Sequence, residues 1–435
     1  MRPGIRPAIL RSGEVAERSI ATVLKTVDRK VRGFESHPLR HPLRTIATSS
    51  ASNARSAATA SCYGANVDAV HEPRVRTQPR SDRLRIALVS PPMLPVPPPT
   101  YAGTERVVAA LGETLVAHGH DVTLFAPGDS QFSGSLVATP DKSLWSRGYR
   151  GDVSSFINVT LAKVWARHAD FDIIHSHVET LGFLFARHSP TPVVTTLHGR
   201  LDVSGIPDLL EEFSDIPLVA ISDSQRRWGE EANWVATIHH GLPLQQMPFR
   251  EEPGDYLAFV GRITPEKGIT DVIELARRTK LPLKMAAKVY DKHEQAHFDE
   301  VVQPAIDKGI VEFLGEVGPL ERDPLYAGAL ATMMLGAWPE PFGLVAIESL
   351  ATGTPVIARR AGALTETIEH GIDGFLVDDL TEAELAVSMI KDLDRTRIRE
   401  RALERFSPER MTTEYEAVYT ALVEKSRSGQ AVLRA

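Results

Sequence analysis

Cysteine is almost missing from this chain: Cys62 is the only one among 435 residues. A single thiol excludes an intramolecular disulfide and fits a reducing cytosol. Long apolar runs are missing too, and no stretch approaches the ~18 residues needed to span a bilayer, which excludes an integral membrane protein. Gly-x-Gly-x-x-Gly does not occur where a first strand turns into a helix; the turn there is Tyr101-Ala102-Gly103, which disfavours a dinucleotide cofactor. Positive charge is scarce in the body of the chain. Residues 84–435 carry 34 Lys and Arg against 49 Asp and Glu, an acidic balance that argues against nucleic acid as a partner.

The first 83 residues have the opposite balance, 15 basic against 7 acidic. Residues 41–82 are rich in Ser, Ala, Arg and Pro without periodicity and read as disordered. Glu14, Glu17, Asp28 and Glu35 oppose a transit peptide. Val31-Arg32-Gly33-Phe34-Glu35-Ser36 can be encoded by DNA containing GGTTCGAATC, the mark of a transfer-RNA T-arm. Residues 12–40 are accordingly expected to be a transfer-RNA gene translated from a misplaced start. Residues 1–83 are then a disordered or misassigned extension, and the working start lies near Leu84.

What is present from Leu84 onward is an alternation of short apolar runs with amphipathic stretches, the pattern of an α/β protein with parallel sheets. Strands are predicted at 85–90, 121–126, 171–176, 193–197, 218–221 and 235–239. After a polar linker at 251–255 the alternation restarts, with strands at 256–260, 283–289, 311–314, 331–337, 355–358 and 374–377. A helix from Thr104 places Val107, Val108, Leu111 and Leu115 on one face. Two doubly wound domains, at 84–250 and 256–405, imply a cleft between their strand ends as the binding site.

Three segments carry chemistry. In Trp338-Pro339-Glu340-Pro341-Phe342-Gly343-Leu344 a strand turns into a helix that contains Glu348, so backbone N–H groups at the helix start face a crevice and attract phosphate or sugar oxygens. Gly261-Arg262-Ile263-Thr264-Pro265-Glu266-Lys267-Gly268 places two cations in one turn, a planar fork and a point charge that suit a diphosphate. His198-Gly199 ends a strand, where an imidazole can bond a substrate hydroxyl. His175, His177, His239 and His240 raise the possibility of a metal, but no acidic ligand stands at metal-site spacing beside them, and no metal is expected.

These residues are similar to those of the retaining glycosyltransferases of family 4, over about residues 85–422. Glu340 and Glu348, separated by seven residues, resemble the family's paired-glutamate motif. Further matches are Tyr101-Ala102-Gly103-Thr104-Glu105, Gly119-His120-Asp121-Val122, Leu197-His198-Gly199, Gly261-Arg262 with Lys267-Gly268, and Gly353-Thr354-Pro355-Val356. The resemblance implies the GT-B fold: two Rossmann-like domains facing a cleft, acceptor on the first and donor on the second, and a helix at 406–425 crossing back to the first domain. It implies that Glu340 and the backbone of Phe342, Gly343 and Leu344 hold the donor sugar, and that Glu348 binds the ribose. Arg262 and Lys267 would neutralise the diphosphate, Gly103 would let the first domain close on the phosphates, and His198 would lie by sugar and acceptor. The family's glycine pair is here Ala102-Gly103.

The implied reaction moves a hexose from a nucleoside-diphosphate sugar, of the UDP-glucose or GDP-mannose type, to a small-molecule, saccharide or lipid hydroxyl in the cytoplasm. It needs no cofactor. A sugar-nucleotide epimerase of the same architecture and a non-catalytic sugar-nucleotide-binding protein are the alternatives. A glycosidase would need its two carboxylates across a cleft, and Glu340 and Glu348 are tethered to one turn. Residues 145–167 carry Arg147, Arg150, Lys163 and Arg167 among apolar residues and could touch an anionic membrane, a solvated helix face being the alternative.

Overall fold

A computed structural model describes residues 83–434 apart from Tyr101. The expectations for residues 1–82, and for the tyrosine of the Tyr101-Ala102-Gly103 turn, lie outside the described residues.

Runs of three to six mostly apolar residues form the strands, and most are buried on both faces, as parallel strands under helices must be. The first sheet holds β1 (Arg85–Val89), β2 (Asp121–Ala126), β3 (Ser135–Ala138), β4 (Ile173–Ser176), β5 (Val193–Thr196), β6 (Leu218–Ala220) and β7 (Trp234–Thr237) in the order 3-2-1-4-5-6-7. The second holds β8 (Leu257–Arg262), β9 (Leu283–Lys288), β10 (Val311–Gly315), β11 (Ala331–Met334), β12 (Val356–Arg359) and β13 (Gly374–Val377) in the order 10-9-8-11-12-13. Every pairing is parallel. The α/β, doubly wound reading of the sequence therefore holds for both sheets. The strand β3 was not expected from the sequence. It is a four-residue edge strand with no fully buried side chain, so it lacks the apolar contrast that marks the others.

In each sheet the order reverses once, between β1 and β4 and between β8 and β11. Chains leave those strand ends in opposite directions and open a crevice outside their carboxyl ends. The three segments read as carrying chemistry follow β8, β11 and β5, the last a neighbour of β4. After β1 comes α1 (Thr104–Ala117), whose Val107, Val108, Leu111 and Leu115 are all buried as predicted. After β8 comes α2 (Ile269–Thr279), and after β11 comes α3 (Leu344–Ala351), a helix with all eight residues buried.

The last two helices are α4 (Arg395–Arg405) and α5 (Pro408–Arg434), the second standing where a helix was expected at 406–425. Phe406 closes α4. The Ser407 hydroxyl then accepts the Arg410 N–H at 3.2 Å, and Pro408 takes the first helical position, where its missing N–H costs nothing. Along α5, Met411, Tyr415, Tyr419 and Val423 recur every four residues and are buried against α1 and β4 of the first sheet. Each such burial contributes about 2 kcal/mol, so this stripe fastens the last helix to the first sheet. The polar tips are matched as well: Tyr419 Oη lies 2.7 Å from His175 Nδ1 and Tyr415 Oη 2.9 Å from Thr196 Oγ1.

Candidate active site

Two helix starts converge at the crevice. Gly103 and Thr104 at the start of α1 line a cavity of about 480 Å³ together with Pro341, Phe342, Gly343 and Leu344 at the start of α3. The two starts are in van der Waals range, since a Cβ added at Gly103 would lie 3.6 Å from Leu344 Cδ1. Their free N–H groups and dipoles make the space between them attractive to an anion. Gly343 is required for the second start: its φ of +93° is left-handed, and a Cβ there would come 2.9 Å from Leu364 Cδ2. Ser222, after β6, donates to the Pro341 carbonyl at 2.8 Å, tying this turn to the first sheet.

Arg262, Lys267, Glu340 and His198 line the same cavity. Of the nine residues expected at the site, only Glu348 does not. Lys267 Nζ is 2.7 Å from Glu340 Oε2 and 4.3 Å from the centre of the Trp338 ring, so the ammonium is held between a carboxylate and an aromatic face. Arg262 is more than half exposed and bonds the buried Glu294, its Nε 2.8 Å from Glu294 Oε1. Glu294 was not anticipated. Asp291 caps the short helix Lys292–His297, accepting the N–H groups of His293 and Glu294, so Asp291-x-x-Glu294 is legible as a helix start but not as the counter-ion of Arg262.

Glu348 does not line the cavity: its carboxylate is fully buried, in contact with Arg106 of α1, 3.3 Å from Arg322 Nη1 and 3.1 Å from Tyr326 Oη. A buried carboxylate needs such partners. Arg106 supplies one from the first sheet's side, so this pair joins the two domains.

His198 lines the cavity as well. Its ring nitrogens do not present themselves to the cavity: Nε2 is 2.9 Å from His177 Nδ1, and Nδ1 is buried with no hydrogen-bond partner among the described residues. Burial pushes its imidazole down to about 3, and His175, His177 and His240 are likewise held neutral by burial. These four rings form a ladder, His175 and His177 centred 3.9 Å apart and His198 stacked on His240 at 5.2 Å. Among the described residues no group of three His, Cys, Asp or Glu side chains is arranged to hold a metal ion. Glu179 supports the same strand end: it sits at a φ of +52°, and its carboxylate accepts the His198 N–H at 3.1 Å. Burial pushes its pKa up to about 7.

Beside this cavity lies another of about 360 Å³ that shares Arg262 with it. Its lining is mostly apolar and includes Trp145, Gly261, Ala286, Ala287 and Tyr290. No helix among the described residues is long and apolar enough to cross a membrane.

An enzyme that brings two substrates together between separate doubly wound domains, with its last helix returning to the first, has the GT-B fold. That is the class of glycosyltransferase this chain's two sheets define. Residues 101–241 match the family model described as Glycosyltransferase Family 4, and residues 245–406 the one described as Glycosyl transferases group 1. The chain belongs to glycosyltransferase family 4. It is 27% identical over 351 residues to the phosphatidyl-myo-inositol mannosyltransferase of Mycolicibacterium smegmatis, covering 73% of this chain and 86% of that one. Its fold is that of AviGT4, a glycosyltransferase involved in avilamycin A biosynthesis, with a TM-score of 0.61 and 23% identity over 78% of this chain and 98% of that one. The Anabaena protein HepE, solved with UDP and glucose, matches with a TM-score of 0.61 and 16% identity over 78% of this chain and all of its own.

Proposed function

We propose that this glycosyltransferase moves a hexose from a nucleoside-diphosphate sugar, of the UDP-glucose or GDP-mannose type, to a hydroxyl acceptor with retention of configuration. The observation that carries this reading is the meeting of Arg262, Lys267 and the starts of α1 and α3 around one cavity. Two cations and two positive helix ends enclose room for a diphosphate. They supply the charge a leaving diphosphate needs, so the reaction is read without a metal or cofactor. Glu340, beside Lys267 and next to the α3 turn, is positioned to accept from sugar hydroxyls. The adjacent apolar cavity suits the nucleoside. In this reading Glu348 acts on the ribose from behind Arg322, which lines that cavity, and Arg106 must yield for direct contact.

In the proposed step the bond from C1 to the phosphate oxygen breaks and a bond from C1 to the acceptor oxygen forms on the same face. The acceptor's proton passes to the departing phosphate oxygen, so no protein nucleophile is required. Glu340 is committed to Lys267 and serves electrostatics and positioning. His198, neutral and bonded to His177, shapes the acceptor side with its ring and backbone. The similarity to an enzyme named for phosphatidyl-myo-inositol supports trying an inositol lipid among small-molecule, saccharide and lipid acceptors. A cytoplasmic setting accords with a single cysteine.

Incubating the full-length chain with labelled UDP-glucose and GDP-mannose, with and without phosphatidylinositol and sugar acceptors, tests the reading. Label moved to an acceptor, with nucleoside diphosphate released, is the expected result. An epimerised donor, or donor bound without turnover, overturns it.

A further inference from the structure

The second cavity is built by both domains. Its floor is the carboxyl ends of β8 and β9, where Gly261, Ala286 and Ala287 carry little or no side chain and leave a flat depression. Tyr290 stands at one side. Facing it is Trp145, which belongs to the first domain, its ring centred 5.7 Å from that of Tyr290 and inclined by 37°. Arg262, on the boundary with the first cavity, lies 5.8 Å from the Tyr290 ring, so a nucleoside whose diphosphate meets Arg262 enters this slot directly.

Trp145 is held firmly. Asp129 receives both the N–H and the hydroxyl of Ser143 at 2.8 Å, and the N–H groups of Leu144 and Trp145 donate to the Pro92 and Met93 carbonyls at 3.0 Å. The Arg150 guanidinium lies 5.0 Å from the indole centre, and its Nη1 also bonds the Trp145 carbonyl at 3.2 Å. These bonds anchor the indole to the loop that leaves β1, at the switch point of the first sheet. An aromatic ring so fixed, partly buried and lining a slot in the other domain, where Lys288 Nζ lies 5.5 Å from its centre, is a platform for a planar group.

We infer that Trp145 is the roof of the nucleobase slot, so that the donor's base stacks on the first domain while its phosphates are held by the second. This rests on the donor reading above. The first domain then takes part in donor binding as well as acceptor binding. Stacking on an aromatic face tolerates any base, so Trp145 contributes affinity rather than a choice of base.

Calorimetric titration of the full-length chain with UDP and GDP tests it, alongside inhibition by inorganic pyrophosphate. Whichever nucleotide the wild type binds should bind Trp145→Ala roughly ten-fold to a hundred-fold more weakly and Trp145→Phe nearly normally, with pyrophosphate inhibition unchanged in both. Nucleotide should also quench the wild-type tryptophan emission more than that of Trp145→Phe, a readout that holds if the alanine variant fails to fold. Equal nucleotide affinity in a folded Trp145→Ala, an equal loss of pyrophosphate inhibition, or equal quenching in Trp145→Phe overturns the inference. A wild type that binds neither nucleotide overturns the donor reading beneath it.

Discussion

Lys267 Nζ and Glu340 Oε2 stand 2.7 Å apart, joining the turn after β8 to the turn after β11 across the switch point of the second sheet. Each is the other's counter-ion until a phosphate arrives, and Trp338 under the ammonium keeps it from swinging away. Lys267→Ala is expected to lower kcat/KM by two or more orders of magnitude, and Glu340→Ala comparably. The double variant should lose less than the sum of the two, because each single change leaves its partner uncompensated. Steady-state kinetics on the four proteins checks this, and near-normal rates in Lys267→Ala would remove the residue from the site.

Arg106 and Glu348 are 242 positions apart in sequence and in contact in the fold. Removing Arg106 leaves a fully buried carboxylate with Arg322 and Tyr326 alone, and breaking such a pair costs about 3 kcal/mol. Arg106→Ala should lower the urea midpoint accordingly. Adding Glu348→Ala should recover part of the loss.

Gly343→Ala places a side chain at a φ of +93° and a methyl 2.9 Å from Leu364 Cδ2. The strain is about 1–3 kcal/mol, and relieving it turns the start of α3 away from the cavity. A lower melting temperature together with a raised donor KM is expected. A changed melting temperature with unchanged KM would mean that the α3 start does not hold the donor.

Glu105, in the first turn of α1, is buried, and burial pushes its pKa from 4.5 to about 7. A carboxyl with the higher pKa in the folded state takes up a proton on folding between those two values. Stability therefore falls as pH rises from about 4.5 to 7, by on the order of 3 kcal/mol from this group. Glu105→Gln should melt higher than the wild type at pH 8, and the gap should shrink as pH falls towards 5. The histidine ladder works in the opposite sense. His198 is held near 3 when folded and titrates near 6.5 when unfolded, so its contribution to stability is lost as pH falls below that value.

The parallel strands and their order of occurrence were readable because Val, Ile, Leu and Ala run together wherever both faces are covered. β3 has no such run. The cavity-lining residues Gly103, His198, Arg262, Lys267, Glu340 and Phe342 were readable because strand ends at a switch point bring turns together whatever the intervening length. The surroundings of those residues were not. Glu294 behind Arg262, Arg106 on Glu348 and His177 on His198 depend on which side chains of distant elements meet, and no local pattern encodes that. The last helix was legible as well: expected from 406, it starts at Pro408, where Ser407-Pro408 is a local helix-start signal.

The proposed reaction is transfer with retention from a nucleoside-diphosphate hexose. The most direct test is the anomeric configuration of the product, read from the one-bond carbon–hydrogen coupling at C1 after turnover of UDP-glucose or GDP-mannose with an accepted hydroxyl compound. An α-linked product from the α-linked donor, with one nucleoside diphosphate released per bond formed, is the predicted result. A β-linked product would contradict the same-face mechanism, and release of epimerised donor without transfer would contradict the proposed reaction itself.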